Sequence, residues 1–211
     1  MILQKFPFGP LETNTILVGC LNEKKAAVID PAYGSTSAVL QKCLDLELQI
    51  EKIFVTHSHW DHIADVHELA LKTAASVYIH SLDAPNLEQP GADGIPLAFP
   101  ILSVKPDHFV EDGDTLTIGD LVCKVIHSPG HSPGSVCYYF SDKKLLLTGD
   151  TLFEGSIGNL HLPTSEPEKM WKTLRILSQL PPDTRIVPGH GRDTTLISES
   201  WLSRAEQIFS K

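Results

Sequence analysis

The sequence predicts a mixed α/β fold in which two β-sheets pack face to face with helices on the outside. Three observations lead to this prediction. Short apolar runs, several of them rich in β-branched residues, alternate with segments of helical periodicity. A group of strands followed by a mixed order of strands and helices occurs twice along the chain. With 211 residues, of which 42% are hydrophobic, the chain can also bury a large core.

Ten strands are predicted where apolar runs are bounded by turn residues. They cover residues 2–6, 15–18, 25–29, 53–55, 76–79, 116–118, 121–126, 136–140, 145–148 and 186–187. Gly119 and Asp120 form a predicted turn between two of them, and residues 141–144 close a predicted hairpin.

Four helices are predicted from apolar residues that recur at intervals of three and four. They cover residues 35–48, a segment that begins at about Asp61 or His62 and runs to 74, residues 166–180 and residues 196–210. Residues 83–107 carry five prolines and two glycines, which predicts a long loop. Such a loop is either a lid over a functional site or a solvated insertion. No linker or repeat divides the chain, so one domain over residues 1–211 is predicted.

Composition narrows the possible functions. The net charge is −9 without a cluster of Lys or Arg, so nucleic acid is not an expected partner. No apolar run reaches the roughly 18 residues of a membrane helix, and no signal peptide is evident. The four cysteines form no CxxC pair and are predicted to be reduced, buried thiols. A cytoplasmic location is expected.

Residues 56–62 contain the strongest functional signal. His57, His59, Asp61 and His62 lie within six consecutive positions, and neutral imidazole with carboxylate suits zinc or iron. If the preceding strand continues outward, His57 and His59 share one face, because strand side chains alternate with period two. A strand end followed by a helix start then places these side chains at a crevice mouth, where α/β sheets usually bind ligands.

Three further candidate ligands stand in similar places. His131, Asp150 and His190 each follow a predicted strand and have a glycine beside them, which permits a tight turn and close backbone approach. Together with residues 56–62 they predict one composite metal site. Asp30 also ends a strand and is either a cap or a hydrogen-bond partner of a ligand imidazole. Thr56 is either a cap or a hydrogen-bond partner of a backbone turn.

A serine-hydrolase motif in the same region is rejected. Residues 130–134 match G-x-S-x-G, in which the residue after the serine donates its N–H to an oxyanion. That residue is Pro133, which has no N–H, and a predicted strand follows instead of the required helix. Ser132 is therefore interpreted as a turn residue beside His131.

In combination, these motifs resemble those of the metallo-β-lactamase superfamily, and more closely its glyoxalase II-like hydrolases. The resemblance rests on His57-x-His59-x-Asp61-His62, Gly130-His131-Ser132-Pro133-Gly134-Ser135, Gly149-Asp150-Thr151-Leu152-Phe153 and His190. It covers nearly the whole chain. It implies a four-layer αββα sandwich of two mixed β-sheets flanked by helices.

The resemblance also implies two divalent metal ions, zinc in the first place, with iron or manganese as alternatives. One ion would be held by His57, His59 and His131, the other by Asp61, His62 and His190, and Asp150 would bridge them. A hydroxide bridging the metals would attack the carbonyl of a small thioester or ester. Asp61 is the expected catalytic residue, which orients the nucleophile or accepts its proton.

Two departures from glyoxalase II concern the substrate. Asn159 and His161 occupy the places of a lysine and a tyrosine that help bind glutathione, so those roles are not carried over, and both residues are predicted only as polar substrate contacts. The C-terminal helical region of the full-length enzymes is also expected to be absent. Weak activity on glutathione thioesters is therefore expected.

Two rival functions remain open. Persulfide dioxygenases resemble the same family but use one iron held by two histidines and one aspartate, so the chain could be an oxidoreductase. The other alternative is a non-catalytic metal-binding protein.

Overall fold

The computed structural model describes residues 1–210 and contains two six-stranded sheets. The first sheet has the order β1-β2-β3-β4-β5-β6, and the second has the order β14-β13-β10-β9-β8-β7. Strands of the first sheet are β1 Ile2–Phe8, β2 Thr13–Cys20, β3 Lys25–Ile29, β4 Gln49–Phe54, β5 Ser76–His80 and β6 His108–Val110. Strands of the second are β7 Thr115–Ile118, β8 Leu121–His127, β9 Val136–Phe140, β10 Leu145–Gly149, β13 Arg185–Pro188 and β14 Thr194–Thr195. A separate hairpin pairs β11 Leu152–Phe153 with β12 Ser156–Ile157.

Both sheets are mixed. In the first, β1, β2 and β3 pair antiparallel, while β4, β5 and β6 extend the sheet in parallel. In the second, β10 pairs in parallel with β13, and the other pairs are antiparallel. The parallel pairs require crossover connections, and helices supply most of them. The helices are α1 Thr36–Leu46, α2 Trp60–Ile63, α3 Val66–Thr73, α4 Ala84–Glu88, α5 Pro167–Leu177 and α6 Ala205–Phe209.

The alternation of side chains in the strands creates the layers. In β9, Tyr138 packs into the core between the two sheets, whereas Cys137 and Tyr139 pack on the opposite face. Tyr138 stacks on Phe54 of the first sheet with ring centroids 5.0 Å apart. Helices α1 and α3 cover the outer face of the first sheet, and α5 covers the second. The predicted four-layer αββα sandwich is confirmed, because each sheet buries both faces.

Several predicted elements are corrected. The helix after residues 56–62 is two helices, α2 and α3, interrupted at Ala64 and Asp65. The Asp65 carboxylate accepts hydrogen bonds from the backbone N–H groups of Gly34 and Thr36, so it ties this break to the loop before α1. The predicted helix over 196–210 consists of two 3-10 turns and the short α6. The predicted loop over residues 83–107 contains α4 near its start and is followed by β6. Sequence periodicity missed both elements.

The cysteine prediction is confirmed, since all four thiols are buried and free of disulfides. Among residues 1–210, no helix has the length and apolar character needed to cross a membrane.

Candidate metal centre

The loop that leaves β4 is held by a buried carboxylate. Asp30 accepts hydrogen bonds from the Thr56 N–H at 2.7 Å and from Thr56 Oγ1 at 2.6 Å. Its Oδ2 atom also lies 3.0 Å from Nδ1 of His62. Thr56 Oγ1 in turn lies 3.1 Å from Nδ1 of His57. The hypothesis that Asp30 orients a candidate ligand imidazole is therefore confirmed, and Thr56 has a similar role for His57.

The first half of the site consists of three buried imidazoles. His57, His59 and His131 each offer a ring nitrogen, and these atoms lie within 4.8 Å of one another. The ring centroids of His59 and His131 are 4.4 Å apart, although the two residues are 72 positions apart in sequence. Nδ1 of His131 lies 2.9 Å from the main-chain oxygen of Asn159, which fixes the orientation of the ring.

The second half combines Asp61, His62 and His190, whose ligand atoms also lie within 4.8 Å of one another. Nε2 of His190 is 3.2 Å from Oδ2 of Asp61 and 3.3 Å from Nε2 of His62. Nδ1 of His190 lies 3.0 Å from the main-chain oxygen of Leu11. Nε2 of His62, Nε2 of His190 and Oδ2 of Asp61 therefore face one common position.

Asp150 lies between the two halves. Its Oδ1 atom is 3.3 Å from Nε2 of His62, and its Oδ2 atom is 3.5 Å from Nε2 of His131 and 3.4 Å from Nε2 of His190. It also forms a third ligand group with His57 and His62. The carboxylate thus contacts side chains of both halves, as a bridging group must.

The donor atoms fit divalent cations. The atoms Nε2 of His57, His59 and His131 and Oδ1 of Asp150 are buried and have no hydrogen-bond partner. Buried polar atoms in proteins are nearly always satisfied, so four orphaned atoms around one point indicate a missing partner. A partner that accepts lone pairs from imidazole and carboxylate is a metal ion. The other ring nitrogen, Nδ1, has an oxygen partner in four of the histidines, namely His57, His62, His131 and His190. Nε2 of each of these rings is therefore free to bind a metal ion.

Without metal, the two halves differ in charge. Burial and the neighbouring histidines hold the pKa of His57 well below its usual value and lower the pKa of His59 to about 3, so both rings are neutral donors. Burial opposes ionisation of Asp61, but His62 and hydrogen bonds from His190 and Thr13 lower its pKa to about 2. Burial likewise lowers the pKa of His190, but hydrogen bonds to the carboxylates outweigh this and raise it to about 9. A metal ion bound in the second half would therefore displace a proton from His190.

Two glycines allow the close approach of the ligand segments. A β-carbon built at Gly189 would collide with Oδ1 of Asp150 and lie 2.7 Å from Cε1 of His62. Gly149 adopts a left-handed φ of 49°, and a β-carbon there would lie 2.7 Å from Cβ of Thr56. Space therefore requires glycine at both positions, and at Gly149 the backbone conformation favours it as well.

The two predicted substrate contacts have different surroundings from the ligands. Asn159 and His161 are exposed. Asn159 contributes its main-chain oxygen to His131, and its side-chain oxygen accepts the N–H of His161. Their contact with a substrate stays a prediction.

Sequence reasoning missed three residues that support the site. Thr13 Oγ1 donates a hydrogen bond of 2.6 Å to Oδ2 of Asp61. The side-chain amide of Asn14 donates to the main-chain oxygen of Pro188 at 2.9 Å and so holds the segment before His190. Asp83 joins two ligand loops and is described below. Polar residues within the otherwise apolar β2 were the available signal for Thr13 and Asn14.

Comparison with known proteins agrees with this geometry. The family model of the metallo-beta-lactamase superfamily matches residues 8–190. The "Probable metallo-hydrolase YqgX" of Bacillus subtilis is 31% identical over 199 residues, covering 93% of this chain and 93% of the relative. The "Hydroxyacylglutathione hydrolase GloC" of Haemophilus influenzae is 31% identical over 206 residues, covering 94% of this chain and 95% of the relative.

Solved structures show the same architecture. The BLEG-1 B3 metallo-beta-lactamase is similar with a TM-score of 0.88 and 31% identity, covering 99% of this chain and 100% of that one. TTHA1623, solved in a di-iron-bound form, has a TM-score of 0.77 and 34% identity, with coverage of 96% and 98%. ETHE1 from Myxococcus xanthus has a TM-score of 0.79 and 27% identity, with coverage of 94% and 81%.

Proposed function

This chain belongs to the metallo-beta-lactamase superfamily, and we propose that it is a metal-dependent hydrolase of thioester or ester bonds. The observation that carries the proposal is the set of four orphaned, buried donor atoms around one centre. The similarity to a hydroxyacylglutathione hydrolase over nearly the full length of both chains supports the choice of bond.

We propose that two divalent cations are held by seven side chains. His57, His59 and His131 would bind one cation, Asp61, His62 and His190 would bind the other, and Asp150 would contact both. The three groups of donor atoms within 4.8 Å of one another support this division. Zinc suits the imidazole-rich donor set, as do iron and manganese to a lesser degree.

When bound, such cations would supply a water with a pKa of about 7 and a Lewis acid that polarises a carbonyl. The chain itself would provide orientation and proton transfer. Asp61 would orient the attacking water and accept its proton, because the hydrogen bond from Thr13 fixes its carboxylate at the centre. A serine nucleophile is not needed, and the hydroxyl of Ser132 is already engaged with Asp83 at 2.9 Å.

The proposed substrate is a small molecule, and the proposed setting is the cytoplasm. The net charge of −9 disfavours a polyanionic substrate such as RNA. We also propose that the whole chain forms a single domain, since the two sheets share one core made from both halves of the sequence.

The direct test of this function is turnover of a short acyl thioester and of its oxygen ester. We expect hydrolysis by the purified protein, loss of more than about 10²-fold in kcat/KM after chelation, because metal catalysis supplies several kcal/mol, and recovery on adding zinc. The protein dialysed without chelator is the control. An unchanged rate in metal-free protein would contradict the mechanism, and no turnover of any ester would favour a non-catalytic metal-binding protein.

Glutathione specificity is a separate question. Because Asn159 and His161 stand where glyoxalase II has a lysine and a tyrosine, we propose weak or promiscuous activity on glutathione thioesters. A kcat/KM below about 10⁶ M⁻¹s⁻¹ on lactoylglutathione is expected. This limit is set at a value that enzymes commonly reach with their own substrates. A higher value would mean that other residues bind glutathione.

A second candidate function is supported by the similarity to ETHE1. It is the iron-dependent oxidation of a persulfide, for which two histidines and one aspartate suffice as ligands. Oxygen uptake with a glutathione persulfide, together with a single iron per chain, would favour it over hydrolysis.

A further inference from the structure

A buried carboxylate outside the seven candidate ligands connects the two loops that carry the three imidazoles of the first half. Asp83 directly precedes α4 and is 3% exposed. Its Oδ2 atom accepts the N–H of Ser58 at 2.8 Å, the hydroxyl of Ser58 at 3.2 Å and the hydroxyl of Ser132 at 2.9 Å. Its Oδ1 atom accepts the N–H of Gly134 at 2.6 Å.

The residues that donate these bonds adjoin the metal-binding side chains. Ser58 lies between His57 and His59, and Ser132 follows His131. The first loop leaves β4 of one sheet, and the second joins β8 to β9 of the other. Within the described part of the chain, Asp83 therefore joins the two sheets at the point where all three imidazoles converge.

A residue near Asp83 also hydrogen-bonds to the first loop. Asn86, three positions after Asp83, donates its side-chain amide to the main-chain oxygen of Ser58 at 2.5 Å. The N–H, hydroxyl and carbonyl groups of Ser58 are thus all engaged by the start of α4. Asp30 holds the same loop two residues earlier, at Thr56, but makes its other contact with His62 of the second half.

We propose that Asp83 is a positioning residue that sets the distance between His131 and the His57–His59 pair, and so the affinity of the three-histidine half for metal. The proposal rests on the metal site proposed above. Four donors converge on the two oxygens, so only an ionised carboxylate satisfies all of them. An asparagine would turn an NH₂ group toward at least one donor. The loop and the carboxylate are in close contact, since a β-carbon built at Gly134 would lie 2.5 Å from Oδ1 of Asp83.

The test measures zinc binding at the first half alone. In the full chain carrying His190→Ala, which removes a donor of the second half, zinc affinity is determined by competition with a chromophoric chelator. We expect Asp83→Asn to weaken zinc binding by about 10–100-fold, the usual effect of removing a group that orients metal ligands. The matched control is Glu199→Gln, because Glu199 is also buried and accepts three hydrogen bonds, but from Gly155, Thr194 and Trp201. It should change the affinity by less than about 2-fold, because its three partners are not among the donors to Asp83 that hold the two loops of the first half.

A milder variant keeps the test decisive if Asp83→Asn does not fold, as judged by circular dichroism. Ser132→Ala removes one donor to Asp83 and is expected to weaken zinc binding by about 3–5-fold, the equivalent of one hydrogen bond. Equal affinities for the folded Asp83→Asn protein and its parent would overturn the proposal, as would an unchanged affinity for Ser132→Ala. Equal losses in Asp83→Asn and Glu199→Gln would show a general loss of stability and overturn it as well. If the parent chain binds no zinc, the proposed metal site itself is wrong.

Discussion

Asp150→Asn is expected to lower kcat/KM for a thioester by at least about 10³-fold, because it would remove the proposed bridging ligand and with it several kcal/mol of metal catalysis. Both oxygens of Asp150 face ligand nitrogens, Oδ1 toward His62 and Oδ2 toward His131 and His190. An amide keeps one acceptor oxygen and loses the negative charge that offsets two cations. It also turns an NH₂ group toward rings that must stay free to bind metal.

The size and shape of asparagine match those of aspartate, so this loss should occur without unfolding. Burial alone would raise the pKa of Asp150, but His62 and His190 hold it well below its usual value, so the group acts as an anion. Steady-state kinetics and metal content of the purified variant are the measurements, with Glu199→Gln as the buried-carboxylate control. A variant that retains two metals and more than about a tenth of the activity would contradict a bridging role, since its removal should cost far more.

Asp61→Asn is the second large effect, with an expected loss of about 10²–10⁴-fold in kcat, the range for removing a general acid–base group. The hydroxyl of Thr13 orients the carboxylate of Asp61 through a hydrogen bond of 2.6 Å. The pKa of about 2 keeps Asp61 ionised throughout the neutral range, so it acts on the nucleophile as an anion.

Thr13→Val separates the orientation of Asp61 from its chemistry. This change keeps the shape of the side chain but removes the hydrogen bond, so a smaller loss of about 5–10-fold is expected, in line with one bond to a charged group. Both variants should keep metal in the three-histidine half, which elemental analysis can measure. If Asp61→Asn lost both metals, or if it kept full kcat, the proposed catalytic role would be wrong.

The convergence of the seven side chains could be predicted from sequence because each lies shortly after the end of a predicted strand. Each also stands beside a glycine or among other histidines. The predicted reason why the side chains of His57 and His59 lie together was nevertheless wrong. It required β4 to continue through them, whereas β4 ends at Phe54 and both rings are held on an irregular loop. Their rings meet because Asp30 and Asp83 hold the loop from its two sides.

The partners of Thr13 and Asp83 could not be predicted, because these contacts join distant parts of the chain. Thr13 contacts Asp61 across 48 positions, and Asp83 contacts Ser132 across 49. In sequence, Asp83 was only the first residue of a proline-rich loop. The prediction of a continuous helix over residues 196–210 was wrong for a related reason. The buried Glu199 accepts hydrogen bonds from Trp201 and from the distant Gly155, which favours irregular turns over a continuous helix.

The central claim is that one cluster of imidazoles and carboxylates binds a pair of metal ions. Elemental analysis of the protein purified from its native host tests it most directly. We expect about two equivalents of zinc, iron or manganese per chain, as in hydrolases with two-metal sites. Full thioester turnover by protein with less than about a tenth of an equivalent of metal would contradict the claim, because the proposed mechanism requires a metal-bound water as the nucleophile.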